Sequence, residues 1–436
     1  MPLQAPVLSE LDLLLESEGS IDPLGLQAVY ERLADKILPA ITVRMTRPRF
    51  LTAMAVGAHV CQQWGEEDLA ADQVSPAWIV FEWFVIESFY RSREKLTDDQ
   101  RIAGILKAGQ AIRDHDHLSA PTYLKTPKVF GFSGVFKRMA VAAGVLTEDF
   151  TLDEAGFTLV RAWEQDRGLG GFLDSREGPG AGFRARLTTA VRQGMESART
   201  TKQSTPFWEE LAGHLQPGGA GQREKAALYN IVRSGSRRDR STGELVAAIE
   251  AHGRLLEWRD EATFLGDLHP RASEDLRAVL VAIDAYERLC RPVLDAFNGI
   301  RHLSSAANHG PIGAAEFVGH PPAADLVSLV NRGVDGIGRC PDLLDWEPGV
   351  RELADQFRDV ETPTQLFDRV VARHEEAQSA KPPHGKRPWL ERERGGAVIV
   401  RPAYAMAELP EDMPAYVHEY RMPTLSRFLR DLGRVN

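Results

Sequence analysis

From Leu276 to Phe297, apolar side chains fall at 276, 279, 280, 283, 286, 289, 293, 294 and 297, the three-and-four spacing of one helical face. A stripe of that length predicts a helix of about six turns that must lie against other elements to bury it. Pro292 falls inside the run and is expected to kink it or split it in two. The same period recurs near the start of the chain, at Leu24, Leu26, Val29, Tyr30, Leu33, Ile37 and Leu38, and residues 49–64 are apolar on most faces. The spacing predicts further helices over 76–92, 207–215, 222–233, 242–252, 323–332, 348–358 and 363–378, and the fold class expected is mainly α.

A chain of 436 residues is too long for one ordinary core. The composition points to four segments: a helical 1–117, a distinctive 118–167, a second helical 183–379, and a small α+β piece over 389–436. Glycine-rich 168–182 and proline- and lysine-containing 380–388 read as connections, and 304–322 as loop. A capping-box pattern at Thr97–Gln100 is expected to open a helix running to Arg113. In the tail, 397–401 and 416–420 read as strands and 425–432 as a last helix.

Charge narrows the function classes. The 52 basic residues are outnumbered by 62 acidic ones, a formal net charge of −10, which argues against a protein that wraps nucleic acid nonspecifically. It leaves room for a local basic face. The three cysteines, Cys61, Cys290 and Cys340, are too far apart for a zinc knuckle or a disulfide framework. They are expected to be reduced, small apolar residues, as suits a cytoplasmic protein. The first residues are acidic and unlike a secretory signal. The most apolar run, 78–89 (WIVFEWFVIESF), is interrupted by Glu82 and Glu87, so it reads as a buried helix and no membrane partner is expected.

Residues 118–166 carry the clearest functional pattern. A helix over 133–143 ends at Gly144, free to take positive φ as a C-terminal cap. Val145-Leu146 and 150–152 can pair across the turn Thr147-Glu148-Asp149, and Asp153 then caps a helix bearing Phe157, Leu159, Val160 and Trp163. Helix, glycine, short hairpin, helix is the order of a winged helix-turn-helix, in which one helix enters a groove of DNA and the hairpin lies along the backbone. Lys125, Lys128, Lys137 and Arg138 cluster before and within the helix and could neutralise phosphates. The acidic hairpin tip counts against a wing pressed onto DNA, and such modules also serve as protein-docking surfaces.

The stretch GFSGVFKRMAVAAGVLTEDFTLDEAGFTLVRAW over 131–163, with RMTRPRF over 44–50 and Tyr420-Arg421, resembles the central part of bacterial proteins found in antiviral defence islands. That resemblance implies a component of a multi-gene defence system and carries no catalytic motif.

Other basic stretches are Arg184, Arg186, Arg192, Arg199 and Lys202, then Arg223, Lys225, Arg233, Arg237, Arg238 and Arg240, and a spot with Lys381, Lys386 and Arg387 beside Trp389. Of these, the loop of Arg233, Arg237, Arg238 and Arg240 is the best candidate to track a phosphate backbone or to anchor an acidic partner. Asp114-His115-Asp116-His117 contains metal-ligating residue types but lacks zinc or HExxH spacing. Ser304 lies near His302, His309 and His320 without a nucleophile-elbow sequence. No Walker A or dinucleotide fingerprint is present. The reading that follows is a non-enzymatic DNA-binding or adaptor subunit of an antiphage defence complex, without cofactor or metal. DNA and other subunits of the complex are its expected partners. The alternatives are a scaffold that binds only proteins and, further off, a metal-dependent hydrolase using 114–117.

Overall fold

The computed structural model describes residues 22–65, 67–93, 103–235, 241–382, 384–410 and 413–436. Among them are nineteen α-helices and a single two-stranded sheet, so the chain is mainly helical. None of these helices is long and apolar enough to cross a membrane. All three cysteines are free and buried.

The chain divides into two compact units. One joins the described part of Met1–Ile37 to Glu257–Tyr420, and the other joins Leu38–Leu256 to Arg421–Asn436. These are not the four segments expected from composition. The 118–167 segment lies inside the second unit, and 183–379 is cut at 256. The 389–436 piece also divides, its strands in one unit and its last helix in the other. Composition marks where backbone is polar, whereas unit boundaries follow which apolar faces cover one another.

In the first unit the long stripe forms one helix of 33 residues, Glu274–Ala306, with Pro292 inside it. The expected split does not occur, because the buried stripe continues on both sides of the proline and packing outweighs one lost backbone hydrogen bond. Its partner is Ala323–Gly338, which approaches closely enough at Gly333 that a Cβ there would meet the backbone of Arg288 and Leu289. The hairpin Leu390–Arg392 with Val398–Val400 is antiparallel, Leu390 opposite Val400. Segment 416–420, expected as strand, has no strand pairing. It is held instead by Glu287, which accepts from the Tyr420 hydroxyl (2.8 Å) and the Val417 amide (2.5 Å) and lies 2.7 Å from His418 Nδ1. Residues 304–322 are only partly loop: they hold the end of the long helix and the short Ala314–Val318. The neutral His374 ring bridges two segments, its Nδ1 donating to the Pro23 carbonyl (2.8 Å) and its Nε2 accepting from the Trp389 amide (2.8 Å).

The second unit is built around Phe50–Cys61, every residue of which is buried. Against it lie Ala77–Arg91, the stretch read as a buried helix, and Glu154–Asp166. Glu154–Asp166 packs in turn on Gln222–Ser234. An ion pair is sealed within this body: the Arg49 guanidinium meets the Glu224 carboxylate through both oxygens, at 2.8 and 3.1 Å, with 2% and 0% of the two side chains exposed. Arg49 also donates to the carbonyls of His214 and Gln216, so its burial is hydrogen-bonded on several sides. The last helix, Met422–Asp431, closes the unit through Phe428 on Phe136 and through Ser426 Oγ, which accepts from the Leu256 amide at 3.0 Å. Glycine-rich 168–182, expected as a connection, is pinned: the Glu164 carboxylate accepts from the amides of Phe172 (3.0 Å) and Leu173 (3.2 Å), and Phe172 is buried.

Candidate nucleic-acid interface

The local order expected over 118–166 is present as secondary structure. A short helix Pro127–Phe130 precedes Gly131 in extended backbone, then comes Phe132–Ala142. Gly144 takes φ of +70°, Leu146 bridges Leu152, and Asp153 caps Glu154–Asp166 by accepting from the Glu154 amide at 2.7 Å. The hairpin is a single bridge wide. Phe150 near its tip stacks on Trp78 at 4.7 Å, which pins the turn against Ala77–Arg91, and Glu148 and Asp149 are exposed beyond it.

What seats the Phe132–Ala142 helix is Glu82, a residue that from sequence looked like an interruption of an apolar run. Its carboxylate accepts from the Ser133 amide (2.9 Å) at the helix N-terminus and from the Tyr123 hydroxyl (2.7 Å). Full burial pushes its pKa up to about 6, and the two donors oppose part of that shift. Gly131 lies so close to this carboxylate that any side chain there would collide with it. The sequence signal for such a residue is present, since an acid within a largely apolar helix needs a buried partner, but the partner's identity is set by tertiary contacts.

Above the capped end, the surface is aromatic and basic. A cleft of about 340 Å³ is lined by Val43, Arg44, Thr46, Phe50, Ala103, Phe130, Phe132, Val135 and Phe136. Among the described residues, no carboxylate lines it. Phe50 stacks on Phe132 at 5.5 Å and lies 5.7 Å from Phe136, which makes the floor rigid and buried. Phe130 is 43% exposed, and the Arg44 guanidinium lies 4.8 Å from its ring centroid.

Of the four lysine and arginine positions singled out in this segment, Lys128 lies in the short helix on which the helix bearing Lys137 and Arg138 packs, and Lys125 lies two residues before that short helix. A Cβ at Gly134 would sit 2.5 Å from the Lys128 carbonyl, so the helix packs directly on that turn. Lys137 and Arg138 follow Gly134 by three and four residues, on the same helical face. Lys125, Lys128 and Arg138 are exposed and Lys137 is half-buried. Lys137 and Arg138 already have interaction partners. Lys125 and Lys128 form no ion pair among the described residues. Arg233 is exposed at the C-terminal end of Gln222–Ser234, where a cation suits the helix dipole. Arg237, Arg238 and Arg240 lie outside the described residues, as does the expected cap at Thr97–Gln100.

Several other basic stretches are tied to the protein itself. Arg184 donates to the Phe172 and Ser175 carbonyls, Arg186 pairs with Glu210, Arg223 with Asp166, and Arg387 with Glu391. Trp389 stacks on Tyr404 at 4.3 Å. In the 114–117 cluster, Asp114 accepts from the Gln110 amide and Asp116 from the His117 backbone amide. Among the described residues no three histidines, cysteines or carboxylates are grouped to hold a metal ion. The Ser304 hydroxyl is buried with no hydrogen-bond partner among them, so no base is positioned on it.

Comparison with protein-family models, with curated proteins and with solved structures finds no match to this chain.

Proposed function

We propose that the protein is a non-enzymatic DNA-engaging or adaptor subunit that contacts phosphates through the 125–138 face of a winged-helix-like module. The observation that carries this reading is the surface around the aromatic cleft: Arg44, Lys125 and Lys128 are exposed cations, and among the described residues no carboxylate lines the cleft. In a protein of net charge −10, such a patch is a local exception that favours an anionic partner. The order short helix, turn, helix, bridge, helix over 127–166 supports a winged-helix-like module. Because the turn is pinned to Trp78 and tipped by acids, the phosphate contacts in this reading come from the 125–138 side. The antiphage defence setting, in a bacterial cytoplasm, rests on the resemblance of 131–163.

The test is a titration of the full chain against short DNA over a range of salt, with wild type and a Lys125→Glu/Lys128→Glu variant. These positions are more informative than Lys137 and Arg138, whose existing partners would also be disturbed. Loss of two phosphate contacts lowers the slope of log affinity against log salt by about 1.4 to 1.8. A variant that binds with wild-type affinity and slope refutes the assignment.

A scaffold that binds only proteins has its own supporting observation. Leu106, Val129 and Phe157, on three separate helices, are exposed by 75%, 51% and 50%. Wild-type protein that ignores DNA at low salt but is captured by its genomic neighbours, and loses that capture when these side chains are truncated, would favour it.

A further inference from the structure

We propose that the cleft bounded by Arg44, Phe130, Phe132 and Phe136 takes an unpaired nucleobase, which makes single-stranded rather than duplex nucleic acid the ligand. This rests on the phosphate-binding reading above and adds the class of ligand to it.

Three observations converge. The volume of about 340 Å³ falls in the range of small-ligand pockets, which are mostly apolar with a few placed polar groups. The lining is dominated by phenyl rings, to which the base of any nucleotide can offer a π-face. Phe130 stands exposed at the mouth, while Phe50, Phe132 and Phe136 are buried beneath it and hold the floor in place. Thr46 supplies a hydroxyl in the lining.

Charge then chooses the occupant. An apolar cleft alone would suit an aliphatic or aromatic side chain of a protein. Here the one charged group in the lining, among the described residues, is the Arg44 guanidinium, 4.8 Å from the Phe130 ring, and Lys125 and Lys128 lie on the stretch that runs into Phe130. A ligand that is both flat and aromatic and anionic at its edge matches that set, and a nucleotide is such a ligand. A base inside a duplex is stacked and paired, so it must leave the helix to enter a cleft. A single strand offers the same base without that cost.

The experiment compares three ligands carrying similar phosphate charge: oligothymidylate, an abasic strand of the same length, and a duplex of half that length. Each is titrated into the full-length protein by fluorescence anisotropy at fixed low salt, with wild type, Phe130→Ala and Phe130→Trp. The proposal expects the abasic strand to bind about 5- to 150-fold more weakly than oligothymidylate, the span that stacking of one base corresponds to. Phe130→Ala should weaken oligothymidylate by a similar factor and leave the abasic strand unchanged, while Phe130→Trp should retain binding. Phe130 is 43% exposed, so its truncation leaves the buried floor intact. Equal binding of oligothymidylate and the abasic strand, or tighter binding of duplex, overturns the nucleobase site and leaves the phosphate reading standing. No binding of any strand overturns both.

Discussion

Glu82 gives the sharpest test of how the Phe132–Ala142 helix is held. The perturbation is Glu82→Gln, which keeps the shape and an acceptor for the Ser133 amide but cannot ionise. Burial raises the carboxyl pKa from an ordinary 4.5 to about 6. The sign follows from the direction: the folded protein holds this proton more tightly than the unfolded chain. Its contribution to stability is therefore fully present below the unfolded pKa and is lost as pH rises through about 6. A shift of that size corresponds to about 2 kcal/mol in all, of which roughly 1 kcal/mol is lost between pH 5 and pH 8. The glutamine variant lacks this loss. Hydrogen exchange of the 132–142 segment, wild type against Glu82→Gln at each pH so that intrinsic rates cancel, reads it directly. Wild-type protection relative to the variant should fall by about 8-fold from pH 5 to pH 8. A ratio that is flat, or that rises with pH, would show that the amide and hydroxyl donors hold the ionised form at least as well as burial disfavours it, and the argument would fail.

Two further predictions concern the buried polar groups that organise each unit. Glu224→Ala strands the Arg49 cation in the second unit and should destabilise it by about 3–5 kcal/mol, while an apolar replacement of both partners recovers much of that loss; denaturant titrations of the two single variants and the double variant check this. His374 has its pKa lowered to about 4 by burial, so its stabilising contribution is present above about 6.5 and lost as pH falls. In an NMR titration its ring should stay neutral down to about pH 5, and a midpoint near that of a solvent-exposed imidazole would contradict the buried, doubly bonded ring.

The helices were legible in the sequence because periodicity is a local property. The stripes at 24–38 and 276–297, the mostly apolar 49–64, and the Gly144 and Asp153 caps all appear near the places that spacing and cap chemistry indicate. The candidate surface was legible in part: Lys125, Lys128, Lys137 and Arg138 are close in sequence, and one short helix and one turn suffice to gather them. Arg44 and Phe50 could not be assigned to the same cleft, because they come from a segment some eighty residues away.

Other features were decided by tertiary packing. The glycines over 168–182 look like a linker by composition, yet Glu164 and the burial of Phe172 bind that stretch into the core. Pro292 should divide a helix by its own chemistry, but a stripe buried on both sides of it outweighs one missing hydrogen bond. Glu82 reads as a break in an apolar run in one dimension, and in three it is, like Glu224 and Glu287, a buried point that fixes neighbouring segments. Sequence alone therefore indicated many of the helical stretches, since those preferences act over one or two turns. Which faces meet, where the units divide, and which polar side chains are drawn inside were settled only by the fold, because burial and its compensating hydrogen bonds depend on residues far apart in the chain.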